Sequence, residues 1–487
     1  MNISAIISES INRIPYVEGP IPVTKESHPF CSMEYCKVPF HLQDYNYIEE
    51  EYFLNGKANV YDTDENDMPV LIKQALPYKN RILVRRPSDM KSFSGRVYID
   101  ILNATQGYDI EDLWHRNYLW CMENGHAYIG ITSKPINVLS LKNFDYQRYQ
   151  SLNWSDGEIT EAPSVTRSAT LPGTEEGLFW DMLSQLGVLL RTNNGNNCLG
   201  GSQADYIYLS GQSQSGAYLN TYTYYFDRFL YDAVDKALFD GYLNIVGALV
   251  QRTIRQENRI GGLRLYPRKV RPCRTPYICI SSEADLYLFH YFLEENLFSI
   301  KVANANSDYN KCRYYEIPGT PHTDIACPIL PAISEIEKTG SKLPNSDPRL
   351  FKTINDIPTE FYICGLLEKL HVWAVTGQAP EVIEPMLRTG DGLTRDQFGN
   401  AKGGLRTPFL DIPIASYLAS NPEDPEGICG KITYFSRNQF KMLYGSEASY
   451  LEKFKEYVEA QVKEGWISDT DGQKMIAWSQ AGIRKIK

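Results

Sequence analysis

The sequence predicts an α/β protein with a mostly parallel central sheet and helices on both faces. Between residues 80 and 325, short apolar runs alternate with amphipathic segments, which is typical of strands joined by crossover helices. The runs at 97–102 and 127–132 are almost continuously β-branched and aromatic, as strands buried on both faces are. The length of 487 residues allows one large elaborated domain or two to three ordinary ones.

The individual elements follow from local patterns. A helix is predicted at 110–122, with Asp109 as its N-cap and Gly125 at its end, and a second at 178–190 behind Thr174. Further strands are predicted at 206–209, 245–250, 277–280 and 313–317. Towards the C-terminus, helices are predicted at 361–377 and 450–464, with a capping box at residues 436–439 ahead of a short helix.

These patterns predict three regions. Residues 1–80 form an N-terminal extension, 81–335 the α/β core, and 336–487 a C-terminal helical region. The helices of this last region have apolar faces that must be buried, so we expect it to pack on the core. Its irregular, glycine-rich stretch at 391–413 is expected to approach the mouth of the pocket.

Composition excludes several classes of function. With 49 Lys and Arg against 59 Asp and Glu, the net charge is −10, which argues against a nucleic-acid partner. No apolar run reaches the roughly 18 to 20 residues that a membrane span needs, and no secretory signal is visible at the N-terminus. Ten cysteines without a C-x2-C pair and only seven histidines argue against a structural zinc site, and no cofactor motif is present. We therefore expect a cytoplasmic protein without metal or cofactor.

The most informative segment spans residues 205–220. A predicted strand runs directly into Gly211-Gln-Ser-Gln-Ser-Gly216 and then into a predicted helix. This is the setting of a nucleophile elbow, where a serine on a tight strand-to-helix turn exposes its hydroxyl above the sheet. Ser213 lies at the centre of the motif, which reads G-x-S-x-S, with Ser215 where glycine is most common.

Two later segments complete a catalytic set. One predicted strand leads into Glu283 and Asp285, and another leads into a loop that ends at His322. Parallel α/β sheets assemble their sites at the carboxyl ends of strands, where these side chains are expected. The chain order of serine, acid and histidine is that of an α/β-hydrolase triad. Asp285 is the preferred acid because it lies one step further into the loop, and Glu283 is the alternative.

The chain resembles the α/β-hydrolase superfamily, and more narrowly the bacterial alpha/beta-hydrolase-domain family whose elbow reads G-x-S-Q-S-[AG]. The resemblance covers most of the chain and implies the fold of a serine hydrolase. Its landmarks are Leu83-Val-Arg-Arg-Pro87, Phe93-Ser-Gly95, Ile101-Leu-Asn-Ala-Thr105, Leu141-Lys142, Arg148-Tyr-Gln-Ser-Leu152, Phe239-Asp-Gly241, Pro318-Gly-Thr-Pro-His322, Asp396-Gln-Phe-Gly-Asn-Ala-Lys-Gly-Gly-Leu-Arg-Thr-Pro408 and Asp411-Ile-Pro413. Some relatives carry Ala and Arg where this chain has Gly216 and Ala217, so substrate details are not transferred.

Each role has a chemical reason. Ser213 is a weak nucleophile and needs His322 to take its proton, while Asp285 orients the imidazole. The backbone N–H of Gln214 is expected to donate to the oxyanion. A second donor is expected from the loop at 103–107, at Thr105 or Gln106.

The predicted function is hydrolysis of a small-molecule carboxylic ester, lactone or thioester through an acyl-enzyme. A catalytically silent scaffold used for ligand binding or interaction is the alternative, and the complete triad favours the enzyme. Tyr218, Tyr222 and Arg406 are candidate pocket residues, although tyrosines on a buried helix more often pack than bind. No motif indicates the acyl-chain preference or the oligomeric state.

Overall fold

The structure is a computed structural model that divides into two compact units. The first comprises Met1–Tyr277, Ser307–Lys311 and Pro328–Pro344, and the second comprises Ile278–Asn306, Cys312–Cys327 and Asn345–Lys487. The residues that the structure describes are 2–154, 171, 173–192, 197–234, 237–247, 250–255, 266–267, 273–293, 304–323, 327–341, 343–344, 353–390, 392–420 and 429–486. Among them, no helix has both the length and the apolar character needed to cross a membrane.

A twisted sheet forms the centre of the first unit. Its strands are β1 (Tyr16–Glu18), β2 (Tyr47–Thr63), β3 (Pro69–Pro87), β4 (Arg96–Ile101), β5 (Ala127–Ile131), β6 (Tyr206–Gln212) and β7 (Gly241–Ile245). They pair in the order β1-β2-β3-β5-β4-β6-β7. The pairings β5-β4, β4-β6 and β6-β7 are parallel, so the part of the sheet that leads to Ser213 has the predicted topology.

An antiparallel extension continues this sheet on one side. The long strands β2 and β3 form a hairpin, and β3 also pairs with β5 in antiparallel orientation. Residues 1–80, expected as an extension of the core, thus contribute strands to the central sheet. Local patterns did not predict these strands, because their long polar and apolar stretches alternate irregularly around a bulge at Ala58, Val60 and Tyr61.

Helices connect the strands of the first unit. They are α1 (Ile3–Ile11), α2 (Asp112–Glu123), α3 (Pro135–Phe144), α4 (Tyr146–Tyr149), α5 (Phe179–Arg191), α6 (Gln214–Tyr225), α7 (Asp227–Val234) and α9 (Ile333–Lys338), besides short 3-10 turns. A small antiparallel pair, β8 (Val250–Gln251) and β9 (Tyr266–Pro267), lies outside the central sheet.

Most of the predicted strands and helices of this unit are confirmed, and one strand is wrong. The predicted strand at 245–250 is in fact the end of β7 and the two-residue β8. Val246 between them has a φ of 44°, which interrupts an extended chain.

Two predicted helix caps are also wrong, because the side chains bind other groups. The Asp109 carboxylate accepts hydrogen bonds from Arg81 and Thr132, while Asp100 Oδ2 accepts the N–H of Leu113 at the start of α2. Thr174 Oγ1 donates to the carbonyl of Leu171 and does not cap α5.

The second unit holds the segments on either side of the predicted acid and histidine. Its elements are β10 (Tyr277–Ser282), α8 (Glu283–Leu293), β11 (Ala305–Ser307), β12 (Asn310–Ile317), α10 (Thr359–Thr376), β13 (Arg388–Thr389), β14 (Gly392–Leu393), α11 (Pro408–Asp411), β15 (Ala415–Leu418), β16 (Lys431–Tyr434), α12 (Arg437–Tyr444), α13 (Glu447–Lys463) and α14 (Asp469–Ile483). A few boundary residues of β10, β11 and β12 belong to the first unit. The predicted helices at 361–377 and 450–464 are confirmed as α10 and α13, and the capping box of Ser436 and Gln439 is present at α12.

The C-terminal residues bind tightly around β12 within this unit. The N–H of Leu405 donates to the carbonyl of Glu316 at 2.7 Å, and Arg388 forms an ion pair with the Glu316 carboxylate at 2.5 Å. Asn355 donates to the carbonyl of Gly319 in the loop that leads to His322. The C-terminal region therefore helps to position that loop.

Candidate active site

The serine of the predicted elbow lies on a strained turn. Strand β6 ends at Gln212, helix α6 begins at Gln214, and Ser213 between them has φ 52° and ψ −116°. Side chains rarely adopt this conformation, and such strain is concentrated at functional sites. The N–H of Ser213 donates to the carbonyl of Ile245 at 2.9 Å, and its side chain is partly exposed. The turn therefore projects the hydroxyl at the carboxyl end of β6.

Glycines around this turn are required by close backbone approaches. A Cβ atom at Gly211 would lie 2.2 Å from the carbonyl oxygen of Ser215, which is far inside a normal contact distance. A Cβ at Gly216 would lie 2.7 Å from the Cα of Gly247. The small residues of the motif thus permit the helix to start directly above the sheet.

The predicted histidine and its preferred acid are brought together in the second unit. His322 Nδ1 lies 2.6 Å from Asp285 Oδ1, and both side chains are buried. The other carboxylate oxygen of Asp285 accepts the N–H of Ser282 at 2.7 Å. Because an ionised carboxylate only accepts hydrogen bonds, the proton belongs on Nδ1, which leaves Nε2 as a proton acceptor.

Burial raises the pKa of Asp285, while the hydrogen bonds and charge of His322 and the hydrogen bonds of Ser282 oppose that rise. Desolvation penalises the charged form, so the pair must keep its hydrogen bonds for the carboxylate to remain ionised. Strand β10 ends at Ser282, two residues beyond the predicted end at 280, and both acids lie in the first turn of α8 and not in a loop.

Glu283, the alternative acid, has different partners. Its Oε2 accepts the N–H of Gly319 at 2.7 Å, and its Oε1 pairs with Arg395 at 2.6 Å. Both contacts lie in the second unit and hold the loop between β12 and His322. Glu283 therefore braces the segment that carries the histidine.

The predicted oxyanion loop is held by side-chain amides. Asn103 Nδ2 donates to the backbone and side-chain oxygens of Gln212 at 3.0 and 3.1 Å. The N–H of Thr105 donates to Asn103 Oδ1 at 2.8 Å, and that of Ala104 to Gln214 Oε1 at 3.1 Å. The loop at 103–107 is thus tied to both sides of the elbow. Gln214 is the first residue of α6, where backbone N–H groups lack helical acceptors.

The candidate pocket residues have defined surroundings. Tyr218 is fully buried, with its hydroxyl bonded to Arg252, and Tyr222 is fully buried and bonded to Ser184 at 2.7 Å. Neither tyrosine has a surface for substrate in this structure, which agrees with the packing interpretation. Arg406 is half-buried and pairs with Asp411 within the second unit. Asp391, at the start of the irregular stretch, lies outside the described residues.

Two side chains beside the elbow are absent from the predicted site, namely the amide of Asn103 and the amine of Lys134. Lys134 lies three residues after the end of β5 at Ile131 and immediately precedes Pro135, which begins α3. The rule that places functional groups at the carboxyl ends of parallel strands would have selected it, as it selected His322. A lysine in a loop is normally solvated, and for that reason the sequence alone gives it no special role.

The sequence matches a known protein family over most of its length. The sequence profile of the family described as alpha/beta hydrolase domain matches residues 17–477. The chain therefore belongs to this family and has the α/β-hydrolase fold, which supports a hydrolase. No curated protein matches the sequence significantly.

Solved structures with some similarity include esterases and lipases. Esterase B from Lactobacillus rhamnosis is 11% identical over 56% of this chain and 74% of that chain, with a TM-score of 0.26. An α/β serine hydrolase without a lid from Xanthomonas campestris is 11% identical over 55% and 85%, with a TM-score of 0.24. Candida antarctica lipase A is 9% identical over 42% and 40%, with a TM-score of 0.20.

Proposed function

We propose that the protein is a serine hydrolase that cleaves a small-molecule carboxylic ester, lactone or thioester. The observation that carries this proposal is the strained turn at Ser213 between a strand and a helix, which is the conformation expected of a nucleophile elbow. The buried pair of Asp285 and His322 supports it, since this pair has the hydrogen bonding of a triad acid and base.

In the proposed reaction, Ser213 Oγ attacks the carbonyl carbon while His322 Nε2 accepts its proton. The tetrahedral intermediate collapses as the bond to the leaving alcohol breaks, and His322 returns the proton to that alcohol. Water then attacks the acyl-enzyme by the same route, which releases the acid and restores Ser213. Asp285 keeps the proton on Nδ1 and stabilises the imidazolium.

Ser213 is a better candidate for the nucleophile than Ser215. Ser215 has no exposed surface, and its Oγ accepts a hydrogen bond from Lys134 at 3.2 Å. Ser213 is partly exposed and has the strained conformation. Ser215 therefore packs on the buried side of the turn, where its hydroxyl binds Lys134.

The proposed oxyanion hole combines the backbone N–H of Gln214 with a donor from the loop at 103–107. The N–H of Thr105 donates to Asn103 Oδ1 at 2.8 Å, and Thr105 and Gln106 are the two candidates for the second donor. Losing one such donor costs about 3 to 4 kcal/mol of transition-state stabilisation in related chemistry.

The cysteines bear on the cellular location of the protein, and the C-terminal region bears on the size of its substrate. All ten cysteines lie in the described residues, and each is buried and outside any disulfide. This pattern is typical of a protein in a reducing compartment, and we propose a cytoplasmic location. We also propose that the stretch at 391–413 and Arg406 border the substrate and limit its size.

A fluorophosphonate probe tests the proposal against the silent scaffold. We expect stoichiometric labelling of the wild type and of Ser151→Ala, which removes an exposed serine, and no labelling of Ser213→Ala. The same variants should be compared on a panel of p-nitrophenyl esters of increasing chain length. Ser213→Ala should lose at least about a thousandfold in kcat. A folded wild type that neither binds the probe nor hydrolyses any ester would favour the scaffold.

A further inference from the structure

A buried lysine lies directly behind the proposed nucleophile turn. Lys134 is only 2% exposed, and its Nζ donates to three oxygens within the first unit. These are Ser133 Oγ at 2.6 Å, the carbonyl of Leu102 at 3.2 Å and Ser215 Oγ at 3.2 Å. A lysine is almost never buried to this extent unless its charge is paired or its hydrogen bonds are made.

Two of these acceptors belong to opposite sides of the proposed oxyanion hole. Leu102 immediately precedes the loop at 103–107, and Ser215 immediately follows Gln214 in the first turn of α6. One amine therefore joins the loop and the helix whose N–H groups are proposed to bind the oxyanion. Ser133 reinforces this connection, because its hydroxyl also donates to the carbonyl of Leu102 at 2.5 Å.

Neighbouring groups affect the charge of the Lys134 amine in both directions. Its Nζ lies 4.2 Å from the centre of the Tyr218 ring. The charges of Glu176, Asp109 and Asp100 favour the ammonium, and that of Arg252 opposes it. Burial is the largest effect and lowers the pKa of Lys134 to about 7.

We propose that Lys134 is a positioning residue for the hydrolytic reaction. It fixes the spacing between the loop at 103–107 and the first turn of α6, and its ammonium adds positive charge behind the N–H groups that would face the oxyanion. This inference rests on the proposed function. It assigns to the reaction a residue that is neither part of the triad nor a backbone donor.

Protonation of Lys134 should make kcat depend on pH. An ammonium donates three hydrogen bonds, whereas the neutral amine donates two, so deprotonation removes one bond and the charge together. The wild type should therefore lose part of its kcat as the pH rises through about 7 and above, in the range where Lys134 loses its proton. This loss is opposite in direction to the gain expected from deprotonating a histidine base.

The experiment compares the wild type with Lys134→Met, Lys134→Arg and the control Lys142→Met. Lys142 is half-buried in α3, the helix that begins immediately after Lys134. Measurements of kcat and KM on p-nitrophenyl butyrate from pH 5.5 to 9.5 should be divided by the fraction of sites that a fluorophosphonate titrates. We expect Lys134→Met to lower kcat per site by about tenfold or more, with KM within about threefold, because the loss affects the transition state.

The pH profile separates positioning from simple packing. In Lys134→Met the alkaline decline of kcat should disappear, whereas Lys142→Met should keep it. Lys134→Arg, which retains a charge at every pH tested, should recover part of kcat and also lack the decline. A Lys134→Met enzyme with wild-type kcat per site, or with a reduced kcat and an unchanged pH profile, would overturn the proposal.

Ser215→Ala provides a second test if Lys134→Met fails to fold. It removes one acceptor and leaves the lysine in place, so we expect a smaller loss of kcat per site and a shifted alkaline decline. An unchanged kcat and pH profile in Ser215→Ala would also overturn the proposal. Failure of the proposed function is distinguishable, because then the wild type and Lys142→Met would themselves lack esterase activity and labelling at Ser213.

Discussion

At the scale of single residues, two acids of similar chemistry have different surroundings. Asp285 contacts His322, whereas Glu283 contacts Gly319 and Arg395. They lie two positions apart in the first turn of α8, and side chains with this spacing point to opposite sides of a helix. Helix geometry thus assigns one acid to the imidazole and the other to the loop beneath it.

Replacing Asp285 by Asn should separate orientation of the histidine from folding. The Asn oxygen can still accept the N–H of Ser282, so the start of α8 should be retained. Its amide N–H2 would then face His322 Nδ1, which forces the proton onto Nε2 and removes the base. We expect kcat for ester hydrolysis to fall by about 10³- to 10⁴-fold, with little change in Tm.

Glu283→Gln is the matched control for this substitution. It keeps the acceptor for Gly319 but weakens the ion pair with Arg395, so we expect a lower Tm and a kcat within about tenfold of the wild type. If Glu283→Gln were the more damaging change and Asp285→Asn were nearly as active as the wild type, Glu283 would be the acid.

Lys134 should also be visible in the stability of the protein. Its pKa is about 7 in the folded chain and about 10.4 in an unfolded one, so between these values the unfolded chain binds more protons. The free energy of unfolding should therefore rise with pH in this window through Lys134. Urea unfolding at several pH values from 7 to 10 should show that the wild type gains stability relative to Lys134→Met. A constant difference between the two proteins would contradict the depressed pKa.

At the scale of elements, the strand-to-helix turn depends on how closely β6 and α6 approach. A Cβ atom at Gly211, the penultimate residue of β6, would meet the helix backbone at the carbonyl of Ser215. The parallel pairing of β6 with β4 and β7 on both sides prevents the strand from moving away. An atom added at Gly211 would therefore displace the first turn of α6, and Ser213 with it.

Gly211→Ala should consequently damage catalysis more than stability. Overpacking of this kind costs about 1 to 3 kcal/mol, and a shift of about 1 Å at a catalytic group costs on the order of a hundredfold in rate. Ser151→Ala is the control, because it changes an exposed side chain outside the proposed site. Activity and thermal unfolding of the two variants should be measured together. Wild-type values for Gly211→Ala would show that the turn is not rigid.

At the scale of the whole molecule, the C-terminal region shares a compact unit with the acid and the histidine. Residues 345–487 cluster with 278–306 and 312–327, and not as a unit of their own. Arg395 pairs with Glu283, and Asn355 binds the loop ahead of His322. The C-terminal region is therefore part of the structure that holds these two catalytic candidates.

A chain truncated after Glu335 should be insoluble or inactive. The truncated chain would keep Asp285 and His322 but lose Asn355, which binds the loop ahead of His322. It would also lose Arg388, the ion-pair partner of Glu316 in β12. Solubility, circular dichroism and ester hydrolysis should be compared with the full chain, and co-expression of residues 336–487 should restore part of the activity. A soluble 1–335 fragment with full activity and unchanged ester preference would show that the region is an independent appendage.

The sequence by itself determined the elements whose signals are local. Apolar runs located β4, β5, β6, β10 and β12, and the glycines and serines at 211–216 located the turn between β6 and α6. These features depend on the side-chain period of a strand and on the space that a tight turn leaves, which neighbouring residues specify.

Only the tertiary structure decided which polar groups meet. Asp285 and His322 are separated by 37 residues, and Lys134 and Ser215 by 81. The same is true of Asp109, which resembles a helix cap in sequence but binds Arg81 in the fold. The physical reason is that a buried polar side chain must find a hydrogen-bond partner wherever the packed chain supplies one, and no local pattern records that partner.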